Sequence, residues 1–504
     1  MIFSSPLFFV FFVLVFTVYW FLLPLFFQNE KQRSARHIFL LITSYYFYMS
    51  WDWRFGFLIL ISTIIDFYSG ILLGILDKKG SSRIMGKLVL LFSICVNLGI
   101  LGYFKYVDFF ISSFIDLVNT IEPDTYTDTD KNSLLLNVIL PLGISFFTFQ
   151  SMSYTIDVYR KVIPVEKSLI RFSLFVSFFP QLVAGPIVVA KDFLPQLEKN
   201  PVFDNQMMLT AGRWFLLGYF KKAAIADNMS IVVDQIYANP ESYGTSAHWI
   251  GAAAFCIQIY SDFSGYTDMA WGTALALGYK LPENFRMPYK STTITEFWQR
   301  WHISLIKWIR DYIYIPLGGN RVSPLRQKLN IFIIMFLAGL WHGANLTFIF
   351  WGATQGIVMV MESALKSLTN KFSGAAAGEN APLKYLSIKS LTVPIFFGYT
   401  IFLTMISATI FRSNTIQDFF VVFTRLFALD SFENILLPAS LYRPVILGIL
   451  ALITGHILGY YIFEKKTFRW KIHPVFEIAV TPVIILILTQ IVASDVEAFV
   501  YFVF

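Results

Sequence analysis

Ile331-Phe-Ile-Ile-Met-Phe-Leu-Ala-Gly-Leu340 is an apolar run that stops at Trp341-His342-Gly343-Ala344-Asn345 and then resumes at Leu346. Arg326, Gln327 and Lys328 precede it and are placed at a membrane surface. If a helix starts at Asn330, a rise of ~1.5 Å per residue carries His342 roughly 18 Å inward. That is near the middle of a ~30 Å hydrocarbon core. An ionisable residue at that depth is costly and faces a cavity or a partner. The stretch therefore reads as a membrane segment built around a functional imidazole.

The whole composition agrees with a membrane setting. Of 504 residues 56% are hydrophobic and 14% charged, with 54 Phe, 25 Tyr and 12 Trp; a soluble domain carries about 25% charged residues. The deficit runs along the full length, so the chain is polytopic rather than a globular domain on an anchor. A net charge of +7 without a basic block is too small to argue for a nucleic-acid partner. Cys95 and Cys256 both lie in apolar runs and build neither a disulfide framework nor a metal cluster. The first run, about Pro6 to Phe27, has no basic n-region or small-residue cleavage site, which predicts a retained span.

Charge at the ends of the runs sets an orientation, because Lys and Arg concentrate on the cytoplasmic side. The loops Gln28–Arg36, 77–87 and 157–161 are basic and are placed inside, whereas residues 120–132 carry Glu122, Asp124, Asp128 and Asp130 and are placed outside. The N-terminus then lies outside. Short spans are expected over His37–Trp51 and Phe55–Leu76, turning at Trp51-Asp52-Trp53-Arg54. Two prolines and a glycine in Phe178–Pro186 predict a kinked or re-entrant segment. Residues 280–330 are too polar to span. Within them Thr295–Tyr314 reads as an interfacial helix, N-capped by Thr293 with Glu296 as capping-box partner and with Glu296 and Arg300 spaced as an i,i+4 pair. Phe297, Trp301, Leu305, Trp308 and Tyr312 form its apolar face, and Arg300, Lys307 and Arg310 flank it. A flexible cytoplasmic linker is expected at 367–388, followed by spans at about 391–411, 445–463 and 475–492. The total is ten to twelve crossings in one domain.

Among six histidines, His37, His248, His456 and His473 lie near predicted surfaces or beside other polar residues and read as structural. His302 has Trp298, Ile306 and Ile309 on its side of the helix. His342 has small neighbours that leave room, and Asn345 three residues on. A neutral imidazole can take the proton of a hydroxyl attacking an activated acyl group. Zinc is poorly supported, with no Cys, third His or carboxylate at ligand spacing. No nucleophile elbow, P-loop or dinucleotide fingerprint occurs. These residues alone leave an intramembrane enzyme and a transporter open. A transporter would need coupling carboxylates, for which Asp66, Asp262 and Asp268 are the candidates.

Several ordered motifs decide between them. Glu296-Phe-Trp-Gln-Arg-Trp-His-Ile-Ser-Leu305, Arg310-Asp-Tyr-Ile-Tyr-Ile-Pro-Leu-Gly-Gly-Asn-Arg321 and Gly339-Leu-Trp-His-Gly-Ala-Asn345 closely resemble the membrane-bound O-acyltransferase family. The Ile-Pro-Leu-Gly-Gly-Asn-Arg element is similar to its bacterial alginate O-acetyltransferase (AlgI-like) branch. Pro141–Gln150, Ile156–Arg160, Phe178–Pro186, Phe220–Asp227 and the ending at Phe504 match as well. Ala223-Ala224 and Thr354-Gln355 depart from residues common in the branch.

The resemblance implies an all-α polytopic fold of 10–12 tilted helices in a ring around a central funnel, with re-entrant and interfacial helices. It implies one domain over 1–504, with a catalytic core at about 139–365. His342 takes the position of the family's catalytic histidine and His302 that of its second histidine. The expected substrate contacts are Trp298, Arg300, Lys307, Arg310, Asp311, Tyr312, Trp341 and Asn345. In this scheme Arg300, Lys307 and Arg310 meet CoA phosphates, and Asn345 orients the ring or polarises the carbonyl. Acetyl-CoA is the expected donor substrate, with no bound cofactor and no metal. An exported or membrane-tethered partner protein and an extracytoplasmic polysaccharide are the expected recipients, in a bacterial inner membrane. D-alanyl or other acyl transfer to teichoic acid or peptidoglycan, and non-enzymatic transport, are the alternatives.

Overall fold

The computed structural model describes residues 1–464 and Phe499, apart from Ser81, Asp124, 377–381 and 429–436; over 368–376 and 382–392 it gives the backbone path. Among these residues there are helices and no strands. In chain order the principal helices are α1 (Pro6–Phe26), α2 (Asn29–Met49), α3 (Phe55–Lys78), α4 (Arg83–Ile121), α5 (Ile144–Tyr159), α6 (Leu169–Ser177), α7 (Asn205–Tyr219) and α8 (Asp227–Ala238). They continue with α9 (Thr245–Ala276), α10 (Ile294–Arg300), α11 (Ile303–Ile309), α12 (Pro324–His342), α13 (Leu346–Ala376), α14 (Pro382–Arg412), α15 (Ile416–Phe427) and α16 (Ala439–Gly459). Among the described residues six helical stretches are long and apolar enough to cross a membrane: Pro6–Phe26, Phe55–Lys78, Arg83–Ile121, Leu346–Ser367, Val393–Arg412 and Ser440–Ile462. The chain is an all-α polytopic membrane protein. The span expected at 475–492 and His473 lie outside the described residues.

The chain divides into two compact units. The first comprises 1–216 with 267–282, the second 217–266 with 283–504.

In the first unit α3, α4 and α5 are tied together by polar side chains. Asp66, fully buried, accepts from Ser93 at 2.5 Å, from the Asn97 amide at 2.9 Å, and from Ser151. Ser62 donates to the Asn97 carbonyl at 2.7 Å, closing the cluster. A buried carboxylate needs such donors, because each stands in for lost water. The Phe178–Pro186 segment is buried and irregular, as its prolines predict. Ser44 on α2 accepts from the Phe179 N–H at 3.1 Å, and Gln181 donates to the Phe175 carbonyl at 2.8 Å. Freed backbone groups thus find partners inside the protein. Gly143, at φ 72°, turns the chain into α5, and a Cβ there would stand 2.6 Å from the Leu182 carbonyl oxygen.

In the second unit α12 and α13 form an antiparallel hairpin of very close approach. A Cβ at Gly339 would meet the Phe348 carbonyl oxygen at 2.3 Å and Gly352 Cα at 2.8 Å. Facing glycines let two backbones touch, the usual device for helix pairs in membranes.

Three expectations change. Gln28–Arg36 is not a loop, since α2 already begins at Asn29. The expected linker at 367–388 is largely helical: α13 runs to Ala376 and α14 starts at Pro382, with 377–381 outside the described residues. The single helix expected over Thr295–Tyr314 is broken at Trp301–His302, where His302 takes φ 44°. The cause is the preceding segment: Ile303 N–H donates to the Asn284 carbonyl and Arg286 N–H to the Arg300 carbonyl, both at 2.9 Å. These tertiary bonds replace the local ladder. The start is as expected, with Thr293 accepting from Glu296 N–H at 3.0 Å. Glu296 holds Arg300 at 2.9 Å but reaches back to Thr292 N–H rather than Thr293.

Candidate active site

His342 is the last residue of α12, which starts at Pro324, earlier than the sequence suggested. Gly343 follows in extended conformation and Asn345 starts α13 by accepting from Thr347 N–H at 3.0 Å. The hairpin's close approach brings Trp351 of α13 against His342, ring centroids 5.0 Å apart and planes at 89°. Trp341 lies at 5.0 Å and Phe411 of α14 at 5.2 Å, both steeply inclined. Three aromatic rings therefore fix the imidazole's plane.

His342 lines a cavity of about 50 Å³, together with Trp298, Trp301, Trp351, Gln355 and Ser407. The volume admits a few heavy atoms, since one water needs roughly 10–15 Å³. Three further lining residues, Cys256, Tyr289 and Thr404, also line an adjoining cavity of about 740 Å³ with mostly apolar walls. Tyr289 donates to the Cys256 carbonyl at 2.6 Å, so its hydroxyl is held away from water.

His302 is fully buried and is not among the residues lining the small cavity. Trp341 connects the two histidines, its ring 5.8 Å from His302 and 5.0 Å from His342. The Asn284 side-chain oxygen, Oδ1, sits 3.1 Å from His302 Nδ1 and also accepts from Ser304 N–H at 3.2 Å and Ser304 Oγ at 2.8 Å. Because the backbone N–H can only donate, the Asn284 atom must be oxygen, and Nδ1 must carry the proton. Nε2 is then the basic nitrogen. Burial pushes this imidazole down to about 3, so it stays neutral at physiological pH.

The remaining expected contacts are not gathered at the cavity. Arg300 is paired with Glu296, Arg310 with Asp311 at 2.7 Å, and Lys307 is exposed. Tyr312 packs on Trp308. Asn345 donates to the Asn414 carbonyl at 2.8 Å while capping α13. Asn284 and Ser407 were not read from the sequence, and neither carries a local signal. Gln355 stood out only as a departure from the branch pattern. Among the described residues no group of three or more His, Cys, Asp or Glu side chains is placed to hold a metal ion.

The structure thus brings a buried histidine to the wall of a small cavity within an all-α membrane protein. Comparison with known proteins gives the family: residues 133–383 match the membrane-bound O-acyltransferase model. The chain is 37% identical over 437 residues to the probable alginate O-acetylase AlgI of Pseudomonas aeruginosa, covering 86% of this chain and 76% of the relative. It is 33% identical to the peptidoglycan O-acetyltransferase of Helicobacter pylori, covering 74% and 72%. The teichoic acid D-alanyltransferase of Bacillus subtilis is more distant, 26% identical over 47% of this chain. The chain belongs to the membrane-bound O-acyltransferase family and is an O-acyltransferase.

Proposed function

We propose that the enzyme takes an acetyl group from cytoplasmic acetyl-CoA for O-acetylation of an extracytoplasmic, alginate-like polysaccharide, with His342 as the general base. The observation that carries this reading is the cavity itself, acetyl-sized and holding His342. His342 accepts the proton of an acceptor hydroxyl as its oxygen bonds to the thioester carbonyl carbon. The C–S bond then breaks, and the same proton passes to the leaving thiolate. An ester and a free thiol are formed with no redox change. The adjoining 740 Å³ cavity accommodates the rest of the donor or acceptor chain. A charged CoA crosses hydrocarbon at high cost, whereas a two-carbon group passes through a narrow opening.

An exported or membrane-tethered partner protein relays the acetyl group to the sugar. The setting is a bacterial inner membrane with the N-terminus outside, supported by the basic and acidic loop alternation. His302 acts beside His342 through Trp341 rather than by lining the cavity. The activities of the more similar relatives support polymer O-acetylation over D-alanyl transfer. Transport is disfavoured because Asp262 is paired with Lys222 at 3.0 Å and Asp66 is closed by neutral donors.

The test is to purify wild-type and His342→Ala protein and follow labelled acetyl-CoA. Loss of thiol release and label transfer in the variant is expected. Equal activity of the two would sink the assignment. Loss of surface acetyl esters in cells, at normal protein level, identifies the polymer.

A further inference from the structure

A hydroxyl has one proton to donate and two lone pairs to accept with. Ser407, on α14, has both lone pairs occupied by groups of the cavity wall. The Trp351 indole Nε1–H donates to it at 2.8 Å and the Gln355 amide at 3.0 Å. The direction of each bond is forced. Trp298 Nε1–H, which can only donate, points at the other end of the Gln355 side chain at 3.2 Å. That end is therefore the carbonyl oxygen, and the NH2 must face Ser407. Two indoles, each a donor only, close the chain from opposite sides. The Ser407 proton is left unassigned by these bonds.

Among the described residues, the other serine and threonine hydroxyls of this helix and its end are disposed differently. Thr400, Thr404, Thr409 and Ser413 each donate back to a carbonyl three or four residues earlier, at 2.7–2.9 Å. Such back-bonding is the default for hydroxyls in apolar helices. Among the described residues Ser407 donates to none. Ser407 lines the same 50 Å³ cavity as His342.

We infer that Ser407 is a further catalytic residue, whose O–H donates to the carbonyl oxygen of the bound acyl thioester. This rests on the acyl-transfer reading of the His342 cavity. As the acceptor oxygen bonds to the carbonyl carbon, the C=O π pair moves onto the carbonyl oxygen, and the negative charge that develops there is stabilised by the Ser407 O–H. When the C–S bond breaks, the pair returns and the contact weakens. Ser407 is not consumed and forms no covalent bond. A donor whose direction is fixed before substrate arrives needs no reorganisation as charge develops, which is what gives such groups their effect. The network also gives Gln355 a purpose, as a positioning residue that keeps the serine proton turned toward the cavity.

The experiment uses the full-length purified protein with labelled acetyl-CoA, comparing Ser407→Ala, Ser407→Thr, Gln355→Leu and His342→Ala. Ser407→Ala should lower kcat by about a hundredfold to a thousandfold with KM for acetyl-CoA little changed, the signature of a lost transition-state donor. Ser407→Thr restores the hydroxyl and should restore most of kcat, which a purely packing role would not require. Gln355→Leu should lower kcat less than Ser407→Ala, because the hydroxyl survives but loses its fixed direction. Wild-type kcat in Ser407→Ala, a rise in KM alone, or an acyl adduct on Ser407 by mass spectrometry would each overturn the inference. Low yield of Ser407→Ala with no rescue by the threonine variant would do the same. If His342→Ala stays active, the acyl-transfer reading of the cavity fails first. If His342→Ala is inactive while Ser407→Ala is normal, this inference alone fails.

Discussion

The Asp66 cluster and the His342 cavity are two answers to one problem, a polar group inside apolar helices. Around Asp66 the network closes on itself: Ser93, Asn97 and Ser151 all donate to the carboxylate, and Ser62 satisfies the amide carbonyl of Asn97. Around His342 it opens. Trp298, Gln355 and Trp351 feed donors toward Ser407, and the chain ends on that serine, which lines the cavity. Burial alone does not distinguish structure from chemistry, since both groups are buried. What distinguishes them is whether the hydrogen bonds terminate in protein or in space.

The sharpest way to break this contrast is to delete one residue from each region. His342→Ala should reduce turnover by about a thousandfold or more, within the range of a lost general base. Its unfolding temperature should stay near wild type, because a small cavity already borders the site. Asp66→Leu should do the reverse. Removing the acceptor strands two hydroxyls and an amide, and each unsatisfied buried group costs about 1–3 kcal/mol. A loss of about 3 kcal/mol is expected, read as a lower unfolding temperature in detergent, with normal turnover per folded molecule. A stable but inactive Asp66→Leu protein would erase the distinction.

The sequence shows the open site better than the closed one, for physical reasons. Trp341-His342-Gly343-Ala344-Asn345 interrupts an apolar run, so an energetic penalty is visible in one dimension. The spans at Pro6–Phe26 and Phe55–Lys78, the proline-broken segment at Phe178–Pro186 and the Thr293 cap are local properties, and all are present. The short span expected over His37–Trp51, by contrast, is not among the six stretches long and apolar enough to cross. The break at His302 is not local. It arises from Asn284 and Arg286, whose bonds to Ile303 and Arg300 override a good helical pattern. Ser407 carries no signal either, because its meaning depends on two indoles and an amide from other helices. The capping role of Asn345 could have been read, since an Asn directly before a helical run is a common N-cap.

His302 sharpens the comparison, being a closed group beside the open one. Its imidazole, ordinarily near 6.5, is held down to about 3 by burial. Between those values the unfolded chain binds a proton that the folded protein does not. Stability therefore rises with pH across this window and falls on acidification, by up to about 1.4 kcal/mol per pH unit. His302→Gln should flatten that dependence between pH 6.5 and 3, followed by thermal unfolding across pH. An unchanged slope would mean that His302 takes up a proton in the folded state.

The smallest effect expected is that of Asn345→Ala. Proximity in sequence makes Asn345 a partner for His342, whereas the structure engages both ends of its side chain elsewhere. Its oxygen caps α13 through Thr347, and its amide holds the Asn414 carbonyl. Removing an N-cap costs about 1 kcal/mol. A drop of that size in unfolding free energy, with kcat per folded molecule unchanged, places Asn345 with the Asp66 cluster as a structural group. A kcat loss comparable to that of Ser407→Ala, without loss of stability, would move it to the open network. The comparison would then have to be redrawn around a larger site.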